Sequence, residues 1–377
     1  MSKINILMII LLLIPLLLVT VPILLESKLT LYEYRSVFIF ENKGDEIVNV
    51  GLGRNIKEFV ALNIAGWQKL EKIAIYANGK DITHQCKIVE YKGSFIIETP
   101  LYELKPGETV NITVLQFISA NWAEGGLTLN RKFRTLSMLE KRELTNSFNG
   151  TPLTYLTGFW VREGENSSWS AVIELSESLG RNVSSVPEYV HAVAKWVDEH
   201  IIYDKETFQI KYPSKTLYEK RGACGDRAAL VTALLRLKGI PSFMCLSIVY
   251  EEGVLINEST ESLSLSYRNA ALHVFSMACE GETCVPIDTT VKMNYGESPY
   301  VDGAGVNISD RVLILAKMIG EDPNDYLTIT LPSNSLRLTI LKTLKRIQKI
   351  EENLLVLLVI YVLLGVIVVL YIRNAAE

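Results

Sequence analysis

Two long apolar runs, one near each end, constrain this chain more than any other feature. Residues 4–25 (INILMIILLLIPLLLVTVPILL) and 354–372 (LLVLLVIYVLLGVIVVLYI) contain no charged side chain. Each is about as long as the ~20-residue apolar segment that a bilayer-spanning helix needs. We expect 354–372 to be a transmembrane helix, with Tyr361 and Tyr371 inside it or at its edge. Residues 4–25 read as a transmembrane anchor or a signal segment. No small-residue cleavage site follows them, which favours an uncleaved anchor. The chain between the two runs must then fold as water-facing domains.

Composition narrows the function classes. The 377 residues carry a net charge of −4, so no basic footprint for nucleic acid exists. The five cysteines include no C-x2-C pair, and neither a structural metal nor an organic cofactor is implied. The odd cysteine count leaves one thiol over if the others pair. Cys279 and Cys284 flank a hairpin-like EGET and suit a small disulfide, which leaves Cys86 and Cys245 for a second pair. Six N-x-S/T sequons, at Asn111, Asn149, Asn166, Asn182, Asn257 and Asn307, fit a glycosylated extracytoplasmic domain. The basic residues Lys342, Lys345, Arg346 and Lys349 before the second apolar run argue for the opposite side. Large domains translocate largely regardless of such charge, so the expectation is a domain outside the cytoplasm.

Residues 29–119 hold short segments rich in β-branched and aromatic residues: LTLYEYRSVFIF, KIAIYA, CKIVEY, SFIIET and TVNITVLQF. Turn dipeptides at Asn78-Gly79, Lys92-Gly93 and Pro106-Gly107 separate them, and the spacing predicts a β-sandwich-like domain. SWSAVIELSESLG predicts a helix ending at Gly180, and SVPEYVHAVAKWVDEHI a second with one broad apolar face. His191 and His200 on that helix have no partner at metal-ligand spacing. Residues 251–268 read as a polar surface loop. Residues 333–352 read as an amphipathic juxtamembrane helix with Ile340, Leu344 and Ile347 on one stripe.

The chemistry concentrates in 221–242, RGACGDRAALVTALLRLKGIPS. Gly222 and Gly225 flank Cys224, an apolar helix follows, and Gly239 and Pro241 stop it. A thiol in the first helical turn lies at the positive end of the dipole, which favours the reactive thiolate. Catalysis by a thiol also needs a base and a group that orients the base. A hairpin centred between Gly281 and Glu282 brings His273 and Asp288 within one bulge of each other, on facing strands. Cys224, His273 and Asp288 are therefore the candidate nucleophile, general base and orienting carboxylate.

The runs GACGDRAALVTALLRLKGIPS, LHVFSM and CVPIDTT, in that order, resemble the transglutaminase-like superfamily of papain-fold thiol enzymes. VHAVAKWVDEHIIYD resembles the helix that precedes the cysteine loop in that family, so the likeness covers about residues 150–290. The resemblance implies an α+β, papain-like catalytic domain over 150–330, a helix packed on an antiparallel sheet. It also implies a Cys224–His273–Asp288 triad and acyl transfer on protein or peptide amides. Two positions depart from the family pattern: Phe275 stands where an aromatic, often Trp, is usual, and Cys284 stands where Trp is common. The thioester would pass to water or to an amine, hydrolysis being the better match for an anchored domain. A non-catalytic module that binds peptides in the same groove is the other class of reading.

Overall fold

The computed structural model describes residues 29–64, 68–121, 147–148, 151–152, 155–204, 209–280, 283–290 and 311–349. The apolar runs 4–25 and 354–372 lie outside the described residues, as do the sequons at Asn149 and Asn307. Among the described residues no helix is long and apolar enough to cross a membrane.

The N-terminal half is β-rich. It contains β1 (Leu29–Asn42), β2 (Val48–Val50), β3 (Gln68–Ala77), β4 (Lys80–Asp81) and β5 (Lys87–Tyr91). β6 (Ser94–Glu98), β7 (Tyr102–Leu104) and β8 (Thr109–Asn121) follow, then the two-residue strands β9 (Ser147–Phe148) and β10 (Thr151–Pro152). The helical part comprises α1 (Trp169–Gly180), α2 (Val186–His200), β11 (Ile202–Tyr203), α3 (Pro213–Glu219), β12 (Arg221–Gly222) and α4 (Cys224–Leu237). Four long strands and one short one complete it: β13 (Ser242–Ser259), β14 (Leu263–Glu280), β15 (Thr283–Ile287), β16 (Val312–Met318) and β17 (Leu336–Lys349).

One nine-stranded sheet runs through both halves in the order β16-β13-β14-β17-β1-β8-β3-β4, with β15 also paired to β14. The small ribbons β2–β7 and β5–β6 supply a second layer. Val48, Val50, Ile97 and Leu104 pack on Phe38, Phe40, Ile112 and Val114 of the main sheet. The N-terminal region is β-rich as expected, but its principal sheet is shared with the helical half, so it is not a separate domain with two sheets of its own.

Residues 336–349 are strand β17, not the juxtamembrane helix that their sequence suggested. Leu336, Leu338, Ile340 and Leu344 are buried while Arg337, Leu341 and Lys345 are exposed, the alternation of a half-buried strand. Ile347, placed on the helical stripe, is 42% exposed. The inward positions continue through Lys342, where a charged side chain takes an apolar residue's place. Its Nζ donates to Glu58 Oε2 at 2.5 Å and to Tyr34 Oη at 2.7 Å, and Ser36 Oγ donates to Glu58 Oε1 at 2.7 Å. Burial alone lowers the Lys342 pKa, but Glu58 beside it raises it further, above the ordinary value. A lysine that reads as the polar face of a helix is thus one half of a buried ion pair.

The polar stretch 251–268 is likewise not a loop. It is the outer part of the β13–β14 hairpin, paired from Leu255↔Arg268 to Ser259↔Ser264. Leu263–Arg268 also pairs in parallel with Leu338–Thr343 of β17. The Leu-Ser-Leu-Ser alternation at 263–266 was the available strand signal.

Helix α4 lies between two apolar layers. Ala228, Ala229 and Ala233 pack on Met244, Leu246, Ile248 and Val274 of the sheet. Leu230, Val231, Leu234 and Leu235 pack on Val190, Val193, Ala194 and Val197 of α2. Every residue from Gly225 to Arg236 is buried, as an all-round apolar helix requires. Gly239, at φ +70°, lets Ile240 N–H donate to Leu235 C=O and Gly239 N–H to Arg236 C=O. This is a Schellman cap.

The Glu58–Lys342 pair yields a stability prediction. Lys342→Met leaves a buried carboxylate without its partner and should cost about 3–5 kcal/mol. A Glu58→Gln, Lys342→Met double variant should recover much of that loss. Unfolding of the purified chain followed by tryptophan fluorescence measures both. A single variant as stable as the parent would mean that the pair is not buried.

Candidate active site

The turn before α4 is built by an aspartate that the sequence reading did not single out. Ala223 N–H donates to Asp226 Oδ2 at 2.8 Å and Lys211 N–H to Oδ1 at 2.7 Å. Asp226 thereby closes the helix start and ties it to the 209–212 segment. The flanking glycines are required by space. A Cβ on Gly222 would lie 2.5 Å from Asp226 Cβ, and one on Gly225 would lie 2.7 Å from Ile210 Cγ1. Cys224, partly buried, is left at the first position of the helix.

β14 carries His273, and β15 ends at Ile287, one residue before Asp288. The hairpin register is Ser276↔Ile287 to Cys279↔Cys284. His273 Nε2 and Asp288 Oδ2 are 2.6 Å apart. The second carboxylate oxygen accepts from Thr290 N–H at 2.9 Å and Thr290 Oγ1 at 2.7 Å, so Asp288 is held at both oxygens. The imidazole also interacts with the Cys224 thiol. With Nε2 committed to Asp288, Nδ1 is the nitrogen left for sulfur. The structure therefore brings Cys224, His273 and Asp288 together. Phe275 stacks on the His273 ring with centroids 6.0 Å apart.

Opposing electrostatic effects meet at this pair. Burial alone would lower the His273 pKa, but the Asp288 carboxylate, its hydrogen bond and the Cys224 side chain outweigh it and raise the value to about 10. Burial would raise the Asp288 pKa, but His273 and the Thr290 hydrogen bonds hold it below the ordinary value. An imidazolium–carboxylate pair is favoured across the neutral range.

Two further residues stand at the site. The short β11–β12 pairing sets Tyr203 opposite Gly222, close enough for Tyr203 to interact electrostatically with Cys224. Burial, reinforced by Cys224, pushes its hydroxyl up to about 12, so it remains a proton donor. Arg227, one turn beyond Cys224, is 2% exposed. Its Nη2 reaches Asp198 Oδ1 at 3.2 Å, and the guanidinium also interacts with Asp288 and Tyr203. Neither role was readable from spacing along the chain, because both depend on α2, β11 and α4 converging.

Trp196 stacks on His200 at 4.6 Å and lies under Lys220 Nζ. Cys279 and Cys284 form a disulfide. The second expected pair does not form: Cys86 and Cys245 are both free thiols. Cys86 packs with the N-terminal core, whereas Cys245 is buried on β13 among Phe243 and Phe275.

The His273–Asp288 shifts fix a pH dependence. The raised His273 pKa contributes stability in full below about pH 6.5, and that contribution is lost as pH rises through about 10. The lowered Asp288 pKa contributes stability present above about pH 4 and lost as pH falls through its depressed value. The parent should therefore exceed Asp288→Asn by on the order of a few kcal/mol between about pH 4 and 6.5, with the gap closing toward pH 10. Unfolding curves across that range measure it, and a gap unchanged up to pH 10 would rule out the charged pair.

Comparison with known proteins agrees with this architecture. Residues 173–287 match the family model described as the transglutaminase-like superfamily. No curated protein matches the sequence. Among solved structures, a candidate cysteine protease from Cytophaga hutchinsonii is 13% identical with a TM-score of 0.50, covering 85% of this chain and 92% of that one. The periplasmic domain of TgpA from Pseudomonas aeruginosa is 11% identical with a TM-score of 0.27, covering 68% of this chain and 90% of that one. From the match over α1 to β15 we conclude that the chain carries a domain of the transglutaminase-like superfamily.

Proposed function

We propose that this protein is a membrane-anchored thiol enzyme that transfers the acyl group of protein or peptide amides through Cys224, His273 and Asp288. The observation that carries the reading is the imidazole of His273 held between the Asp288 carboxylate and the Cys224 thiol. The Cys224 thiolate, its proton already held on the His273 imidazolium, attacks the amide carbonyl carbon. The C–N bond breaks as His273 returns that proton to the leaving amine, and a thioester to Cys224 remains. Water then gives a proton to His273 as its oxygen attacks the thioester carbon, the C–S bond breaks, and the acid product leaves Cys224 as thiolate beside the His273 imidazolium. Asp288 keeps the ring orientation and stabilises the imidazolium without taking its proton.

Two donors suit the oxyanion. The backbone N–H of Cys224 lies in the first turn of α4, where helix N–H groups have no intrahelical acceptor. The Tyr203 hydroxyl, kept protonated, is the second. The domain is assigned to the extracytoplasmic side, supported by the Cys279–Cys284 disulfide, which an oxidising compartment maintains. No cofactor enters the scheme.

The test is release of ammonia or new amino termini from peptide pools by the full chain. Cys224→Ala should abolish it, and His273→Ala should slow both turnover and alkylation of Cys224 by iodoacetamide by roughly 10²-fold or more. Tyr203→Phe should lower kcat by about 10²-fold with KM little changed. Equal, slow alkylation of Cys224 in the parent and in His273→Ala would reject catalysis and leave a peptide-binding module.

A further inference from the structure

The ladder between the first and last described strands ends on one rung. Thr30 of β1 pairs with Lys349 of β17, and β1 extends one residue further to Leu29, paired with Asn121 of β8. The apolar run 4–25 ends five residues before Thr30, and the run 354–372 begins five residues after Lys349. Connectors of that length reach at most about 18 Å. Both apolar runs therefore start from one corner of the sheet.

That corner is also the end at which the thiol stands. Arg346 Cζ lies 5.0 Å from the Tyr250 ring and 5.9 Å from the Tyr32 ring, and Tyr250 pairs with Ala270 of β14. Ala270 is thus level with Arg346. β14 and β17 run in the same direction. Three residues further on, about 10 Å along each strand, stand His273 on β14 and Lys349 on β17. The opposite end of the sheet holds the turn at Lys105–Glu108, where Gly107 N–H donates to Asn42 C=O.

We propose that the two apolar runs enter the bilayer side by side as an antiparallel pair, and that this holds the Cys224–His273 end of the sheet at the membrane surface. The site is then confined to amides close to the bilayer, in juxtamembrane segments or lipid-linked peptides, and amides tens of ångströms out are beyond its reach. The proposal rests on the membrane-anchored reading above and is independent of the chemistry at the thiol. Exposed Lys345 on β17 adds a cation where anionic headgroups would lie.

Two measurements on the full chain in vesicles test it, both in a Cys86→Ser background. First, Leu25→Cys with Leu354→Cys should cross-link within one chain under copper–phenanthroline, whereas Leu25→Cys with Leu370→Cys should not. Second, a fluorophore on Cys224 should be quenched several-fold more strongly by headgroup-nitroxide lipid than one on Lys105→Cys in a Cys224→Ser chain. Cross-linking with that quenching order supports the proposal. A chain that resists carbonate extraction but shows no Leu25–Leu354 cross-link, or equal or reversed quenching, overturns the proposal and leaves the anchored reading standing. A chain released by carbonate overturns both.

Discussion

The antiparallel ladder between β1 and β17 is the contact on which the rest of the structure depends. It runs from Thr30↔Lys349 to Asn42↔Leu336 and joins segments some three hundred residues apart in the chain. β8 and β3 extend the sheet from β1, while β14 and β13 extend it from β17. Without the ladder the N-terminal strands and the thiol-bearing half would be two sheets with unpaired edges. The Glu58–Lys342 pair stands on this seam and locks its register. Slipping β17 by one residue would turn Lys342 outward and leave Glu58 buried alone.

The site follows from what that sheet presents to α4. The sheet and α2 bury the helix on both sides, and Asp226 fixes its first turn to the neighbouring segment. With Gly222 and Gly225 removing the side chains that would collide, Cys224 is placed by close packing with little freedom left. His273 is placed by β14, and Asp288 by the end of β15 and by Thr290. Three separate elements thus bring a thiol, an imidazole and a carboxylate together in the folded chain.

Three buried cations of this core have carboxylate partners, while Arg236 is held by the carbonyls of Ser242 and Tyr155. His273 with Asp288, Lys342 with Glu58, and Arg227 with Asp198 each pair opposite charges away from water. For both His273 and Lys342 the partner's field exceeds the desolvation penalty, so each cation is held above its ordinary pKa. The His273 pair is distinguished by the Cys224 thiol beside it.

The sequence by itself determined the local features whose causes are local. Gly239 stops α4 because only a residue free of Cβ strain enters the left-handed region there. The EGET turn sets Cys279 against Cys284, and the Cys224 helix and its resemblance to thiol enzymes were legible in consecutive residues. Tertiary structure decided what depends on distant partners. Residues 336–349 carry lysines at helical spacing, and only the inward Glu58 shows why Lys342 belongs to a strand. The Leu-Ser alternation at 263–266 was visible, yet its meaning came from β17 lying alongside. Tyr203 and Arg227 acquire roles only because α2, β11 and α4 meet. Cys86 and Cys245 were paired by arithmetic and stay apart because they belong to different cores. Periodicity records which face of an element is buried; only the packed structure selects the partner that buries it.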